Sequence, residues 1–191
     1  MNDTNNWSAY TIDSVITLAN KGDYVQFRNT ENTLSSSTAN FAQYVMTGSI
    51  YASGNCMSLL NYSKACNTGC FINLFNGCSA LVTPPQIACN TLATSCFFQM
   101  FRNCTGLVQV PKLPVKTVTH TCYNNMFYGC ASLTIIPVDL LPALTVNTSS
   151  YNGMFANCSN LLNVPNLPAT TLATSCYNYM FYQCISLTTV P

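Results

Sequence analysis

Residues 122–137 read CYNNMFYGCASLTIIP, and four further stretches of the chain repeat this pattern. Each copy carries a cysteine, an aromatic residue, a Leu/Met-Phe pair, a second cysteine, a leucine and a closing proline, with serine replacing the first cysteine in one copy. The copies, numbered units 1 to 5, begin at Cys70, Cys96, Cys122, Ser150 and Cys176. The spacings are 26, 26, 28 and 26 residues. A fixed period of this length is typical of repeat proteins, in which each unit buries its apolar face against its neighbours.

The repeated positions predict one helix and one strand in every unit. In unit 3, Met126 and Phe127 would lie with the preceding aromatic residue on one face of a short helix. Gly129 fits the left-handed residue that often ends a helix. Leu133 then opens an extended segment, and Pro137 closes it because proline cannot donate to a strand ladder. We therefore predict an α/β fold, a leucine-rich-repeat-type solenoid with one short parallel strand and one short helix per repeat of about 26 residues.

Two domains follow from where the repeats begin. Residues 66–191 form the predicted solenoid of about five repeats, of which the last is incomplete. Residues 1–65 predict a β-rich N-terminal module, since Val25 and Phe27 alternate after a Lys-Gly turn and further strands fit around Gly48. We expect this small antiparallel β module to cap the exposed end of the solenoid core.

The repeat units resemble those of a known family. The stretches CYNYMFYQCISLTTVP and LPATTLATS are similar to the BspA-like leucine-rich repeats of bacterial surface proteins, in the variant common in gut Bacteroidetes and their phages. The resemblance covers about residues 66–191. It implies extracellular adhesion or recognition without catalysis. Members are often larger than this chain, which is compatible with its being a portion of one.

The composition excludes several classes of function. Six Lys and Arg stand against five Asp and Glu, too few cations to neutralise a nucleic-acid backbone. Residues 32–138 contain no carboxylate, and His120 is the single histidine, so no hydrolytic constellation and no cofactor site is expected and we predict no enzyme. No apolar run is long enough to insert in a membrane, and no signal peptide is visible in this chain.

The twelve cysteines allow three interpretations. Nine occupy the two repeated cysteine positions, and Cys56, Cys66 and Cys89 lie outside them. Free thiols buried in the core fit best, because serine replaces one of the column cysteines, as a small buried filler would permit. Scattered disulfides and a metal site at Cys66 and Cys70 remain alternatives.

Two functions fit the pattern. The first is adhesion to, or recognition of, a cell-surface protein or glycan at the outside of the cell, through the outward side of the strands. That candidate contact surface comprises Val82, Thr83, Val108, Gln109, Thr134, Ile135, Leu162, Asn163, Thr188 and Thr189. Tyr128, Tyr182 and Arg102, on the predicted helix side, are a further candidate for stacking on sugars.

The second function is structural: a self-assembling filament or a phage virion protein, such as a fibre or decoration, whose partners are copies of itself. Met180, Phe181 and Leu187 then form the candidate self-association end, since we expect them to be exposed beside an unpaired strand edge.

Overall fold

A computed structural model describes residues 15–31, 34–39, 41–113 and 115–189. Within these ranges, regular secondary structure consists of one 3-10 helix, Cys56–Leu60, and five short strands. The strands form two parallel sheets, in the orders β1-β2 and β3-β4-β5. Their bounds are Ile50–Tyr51 for β1, Leu81–Thr83 for β2, Thr117–Val118 for β3, Thr145–Val146 for β4 and Thr171–Leu172 for β5.

Turns occupy the stretch that the sequence pattern assigns to a helix. In every unit three residues spaced four apart have positive φ, as Thr121 (49°), Asn125 (52°) and Gly129 (72°) do in unit 3. An α-helix needs right-handed dihedrals throughout, so a left-handed residue at every fourth position prevents one. The predicted helix per repeat, and the α/β class with it, is therefore wrong for the described part of the chain. These stretches, called turn segments below, are residues 69–78, 95–104, 121–130, 149–158 and 175–184.

Backbone N–H groups in the turn segments alternate between two kinds of partner. One set closes turns inside the unit, as the Met126 N–H does by donating to the Tyr123 carbonyl at 3.1 Å. The other set crosses to the next unit, as the Tyr123 N–H does by donating to the Ser150 carbonyl at 3.0 Å. Five crossing bonds join each turn segment to the following one or to the residue just before it. Hydrogen bonds therefore run along the stack of units as well as within each unit.

The strands lie mainly in the linkers between turn segments. In the three-stranded sheet, Thr117 is opposite Thr145, and Thr145 is opposite Thr171. The sequence pattern places the strand instead between the core leucine and the closing proline, where unit 1 alone has one among the described residues, as β2. The other Leu-to-Pro segments are irregular, because proline supplies no N–H and few backbone hydrogen bonds join the segments of neighbouring units. One such hydrogen bond runs from the Leu162 N–H to the Thr134 carbonyl. The expected parallel strands are thus present, but mostly at a different position in the repeat.

Two rows of stacked rings fill the core between turn segments. Successive ring centroids lie 5.4–5.9 Å apart, with interplanar angles of 12° or less. The rows are Phe71, Phe97, Tyr123, Tyr151 and Tyr177, and Phe75, Phe101, Phe127, Phe155 and Phe181. The predicted inward orientation of these repeated aromatic positions is confirmed from unit 1 to unit 4, where all are buried.

The segment before the repeats packs directly on unit 1. The Tyr44 ring continues the second row, 5.3 Å from the Phe75 ring, and the Tyr44 N–H donates to the Leu74 carbonyl at 2.7 Å. β1 pairs with β2 in parallel, and no antiparallel strand pair is found in the described residues. The predicted antiparallel β module is therefore wrong there, while the domain boundary at residue 65 stays a prediction.

Candidate functional site

The ten positions of the predicted contact surface all reach the surface of the stack. Seven are exposed, and Val82, Thr83 and Asn163 are half-buried. Two hydrogen bonds bring parts of the surface together, because the Val108 N–H donates to the Val82 carbonyl at 3.0 Å and the Leu162 N–H donates to the Thr134 carbonyl at 2.8 Å. Side chains from neighbouring units therefore lie side by side, as a shared recognition surface requires.

The amide of Asn163 is committed to the fold rather than to a ligand. Its Nδ2 donates to the Ile136 carbonyl at 2.8 Å, and its Oδ1 accepts from the Ile136 N–H at 2.9 Å. The side chain thus replaces two backbone ladder bonds between units 3 and 4. Thr83 is committed in a similar way, because its Oγ1 donates to the Ala52 carbonyl at 3.1 Å.

The thiols of the second cysteine column form a repeated set of hydrogen bonds. Each donates to the carbonyl of the aromatic residue one unit earlier in the second ring row, over 2.7–3.2 Å. The pairs are Cys78 to Tyr44, Cys104 to Phe75, Cys130 to Phe101, Cys158 to Phe127 and Cys184 to Phe155. The donor role explains why a cysteine, rather than an aliphatic residue, occupies this position in all five units.

The first cysteine column is a packed stack of small side chains. Cys96 Sγ and Cys122 Sγ lie 3.1 Å apart, and Ser150 fills the column in unit 4 by donating to the Thr119 carbonyl at 2.8 Å. All twelve cysteines are buried and none is joined in a disulfide. The described residues contain no group of three or more His, Cys, Asp or Glu side chains arranged to hold a metal ion.

Burial raises the pKa of every thiol in the second cysteine column. Removal from water raises the pKa of Cys78 from its ordinary value of 9.0 to about 11, and that of Cys158 to about 12. Since the thiolate is the nucleophilic form, a neutral buried thiol is a poor nucleophile at physiological pH. The second cysteine column therefore serves packing and hydrogen bonding rather than a reaction.

A second candidate site lies on the outer side of the turn segments. One repeated position carries Arg102, Tyr128, Ala156 and Tyr182 in units 2 to 5, and we call this row the tyrosine column. The Arg102 guanidinium carbon lies 4.1 Å from the centroid of the Tyr128 ring, so a flat cation covers one face of that ring. Sequence reasoning had grouped the arginine with the two tyrosines but had missed the alanine between them.

A shallow cleft of about 520 Å³ opens over this alanine. Gly153 lies at the bottom of the cleft and has a φ of +60°. A side chain at this position would clash with Asn125 Oδ1, so the bottom of the cleft stays open. Ala156 is only 2% exposed, whereas Tyr182 is 54% exposed. The lining residues are Asn125, Tyr128, Asn152, Gly153, Ala156, Tyr179 and Tyr182, and none of them is charged.

The last described turn segment leaves its crossing donors open. Its N–H groups at the crossing positions have no hydrogen-bond partner among the residues that the structure describes. These groups belong to Ser175, Tyr177, Tyr179, Phe181 and Gln183. Of the predicted self-association end, Phe181 and Leu187 are half-buried, but Met180 is only 3% exposed, so the expectation that it is exposed is wrong.

Comparison with protein-family models, with curated proteins and with solved structures finds no match to this chain. Across the described ranges, no helix has the length and apolar character needed to cross a bilayer.

Proposed function

We propose that the chain is a non-enzymatic recognition or adhesion protein that acts outside the cell or at a cell surface. We further propose that its stacked units form a leucine-rich-repeat-type solenoid of the BspA-like kind. The observation that carries the proposal is a contrast inside each unit. The core leucine is constant, whereas the next position changes from Val108 to Thr134, Leu162 and Thr188 along the stack, and all four are exposed.

The stacked backbone suits such a surface. Crossing hydrogen bonds hold equivalent residues of successive units at a fixed spacing, about 5 Å where strands pair. Side chains held in this way lose little conformational freedom on binding, which lowers the cost of association. The scarcity of charge supports a cell-surface protein or glycan, rather than a nucleic acid, as the partner.

Binding to cells tests the proposal. The labelled chain is titrated onto a panel of bacterial and animal cells, and bound label is read by flow cytometry. We expect saturable binding to at least one cell type, weakened at least tenfold in the double variant Ile135→Asp, Leu162→Asp, since both side chains are exposed. Thr117→Asp, an exposed position in β3 outside the contact surface, is the matched control. Absence of saturable binding to every cell type, or an equal loss in the control, would contradict the proposal.

The open donors of unit 5 favour a second candidate, a structural protein of a filament or of a phage virion. Every other turn segment in the described stack has its crossing N–H groups paired with carbonyls of the next unit. An edge of unpaired donors beside the half-buried Phe181 and Leu187 is a template for another chain that offers carbonyls. Further repeats of a longer chain or a further copy of this protein would each supply such carbonyls, and the structural candidate takes the second.

A further inference from the structure

In units 2 to 5 the tyrosine column carries a flat side chain at every position except Ala156. Arg102 covers the face of Tyr128 that is directed toward unit 2. The other face of Tyr128 is directed toward unit 4, where Ala156 supplies only a methyl group. Tyr182 stands on the far side of this alanine, in unit 5. The position between the two tyrosines therefore lacks the flat side chain that units 3 and 5 provide.

The gap between Tyr128 and Tyr182 has room for one six-membered ring. Tyr128 and Tyr182 lie two units apart, and two repeats of the strand spacing amount to roughly 10 Å. A ring that contacts another ring face needs about 3.5–4 Å. One ring in contact with both tyrosines needs about 7–8 Å, so it fits between them once the exposed Tyr182 side chain closes on it by about 2–3 Å. Two stacked rings would need at least about 10.5 Å and do not fit.

The chemistry of the lining selects the kind of ring. The lining residues carry no charge, so an ionic ligand gains nothing there. The amides of Asn125 and Asn152 line the gap. Asn125 Nδ2 already donates to Asn124 Oδ1, so the Asn152 amide and the second N–H of Asn125 are the groups offered to the edge of an inserted ring. The ligand should therefore have two apolar faces for the tyrosines and a polar rim for the amides.

We propose that the cleft over Ala156 binds a neutral glycan by inserting one hexopyranose between Tyr128 and Tyr182. The sugar is one whose ring substituents are all equatorial, as in β-linked glucose or N-acetylglucosamine. Such a ring presents only C–H bonds on both faces and carries its hydroxyl groups around the rim. The inference rests on the proposed recognition function and names its ligand class and its site.

Calorimetric titration with defined oligosaccharides tests the inference. Cellotetraose and chitotetraose have the all-equatorial ring, whereas β-1,4-linked galactotetraose carries an axial oxygen at C4 that makes one face polar. We expect binding of at least one of the first two, and at least tenfold weaker binding of the galactose compound. Equal affinity for both ring types, or binding of none of the three, would overturn the inference.

Two variants locate the site. Tyr182→Ala removes one wall and should weaken oligosaccharide binding at least tenfold, without touching the core because the ring is half exposed. Ala156→Tyr restores the residue of units 3 and 5, fills the gap and should abolish binding. Tyr62→Ala, at a tyrosine 64% exposed and outside the cleft, should leave the affinity unchanged. Unchanged affinity in Tyr182→Ala would overturn the inference even if Ala156→Tyr fails to fold.

Two further results separate this inference from the proposed function. If cells bind the chain but no oligosaccharide does, and Tyr182→Ala binds cells normally, the glycan cleft is wrong and the recognition function stands. If the oligosaccharides bind but no cell type does, the cell-adhesion proposal fails and the cleft stands. A neutral phenylalanine-containing peptide serves as a competitor. If it binds more tightly than the oligosaccharides, the glycan assignment is wrong and the cleft takes an aromatic side chain instead.

Discussion

At the scale of single residues, left-handed backbone dihedrals decide the local structure. Gln99 has a φ of 55° and Thr121 a φ of 49°, in a region that is unfavourable for residues with a Cβ and especially for β-branched ones. Glycine takes this conformation without that cost, and Gly153 and Gly69 do so at the positions that correspond to Gln99 and Thr121. The non-glycine residues are held there by the hydrogen bonds on both sides.

Replacing Gln99 by glycine should stabilise the protein by about 0.5–1 kcal/mol, because relief of the left-handed strain exceeds the added flexibility of the unfolded chain. In a helix the same change would destabilise. Gln99→Ala is the matched control and should give no gain, since alanine keeps the strain. The free energy of unfolding in urea measures both. Destabilisation by glycine together with stabilisation by alanine would indicate a helix after all.

The buried thiols make stability depend on pH in the alkaline range. The folded-state pKa values of Cys78 and Cys158, about 11 and 12, lie above the ordinary value of 9.0. Their contribution to stability is therefore complete below pH 9 and is lost as the pH rises through 11 and 12. We expect a constant urea midpoint between pH 7 and 8.5 and a decline by pH 10–11. Cys158→Ser should show a shallower decline, and a midpoint constant up to pH 11 in the parent chain would contradict the expectation.

At the scale of elements, the stacked rings hold the turn segments together. Phe127 is 0% exposed and lies 5.6 Å from Phe101 and 5.5 Å from Phe155, centroid to centroid. Few of the short strands and turns would be stable alone, so burial of these rings against neighbouring units supplies much of their stability.

Truncation of a central ring should therefore be costly. Phe127→Ala should destabilise the protein by about 3–5 kcal/mol through lost burial and the remaining cavity. Thr134→Ala, at an exposed side chain whose backbone bond is kept, should cost less than about 0.5 kcal/mol. Thermal melting of the two variants compares them. An unchanged melting curve for Phe127→Ala would show that the ring is not a core group.

The sequence predicts the order of the repeats, the buried aromatic rows and the buried cysteines, because hydrophobic periodicity reports burial directly. It does not predict the turns, since the spacing of three and four that lines up Tyr123, Met126 and Phe127 is shared by a helix and by turns with a period of four. The sequence did hold one sign of the turns. Asn125 and Gly153, residue types that tolerate positive φ, each stand four residues before the Gly or Asn near the end of their turn segment.

The candidate sites divide in the same way. Exposure of the contact surface follows from alternation with core positions, and sequence reasoning located it. The cleft over Ala156 depends on which side chains of three different units share a row, and on the absence of a ring at one of them. A single small residue has no signature in a repeat pattern until the units are stacked.

At the scale of the whole molecule, the stack has a direction. Within the turn segments, every bond between units runs from an N–H of one unit to a carbonyl of the next, whereas bonds outside them, such as Leu162 N–H to the Thr134 carbonyl, run the other way. On the turn-segment side, free donors therefore face the unit 5 end and acceptors face the unit 1 end. On the unit 1 side, the Tyr44 N–H donates to the Leu74 carbonyl, and Gln43 Nε2 donates to the Asn76 carbonyl. The two ends of the described stack are therefore chemically different.

We expect the chain to self-associate through the donor end. Sedimentation velocity at micromolar concentration should show species larger than 20.8 kDa. Phe181→Asp places a charge in the half-buried end and should reduce them, whereas Ile135→Asp on the contact surface should not. A single species of 20.8 kDa for the parent chain would reject self-association.

The direction of the crossing bonds also determines how the molecule would bear tension. Because these bonds lie along the stack, a pull applied between its two ends loads the junctions in series, and each junction carries the whole force. Under such a pull the units would detach one after another, and each would release about 90 Å of chain from its 26 residues. A surface-anchored protein built in this way would lengthen in discrete steps and absorb mechanical work while its remaining units kept their shape.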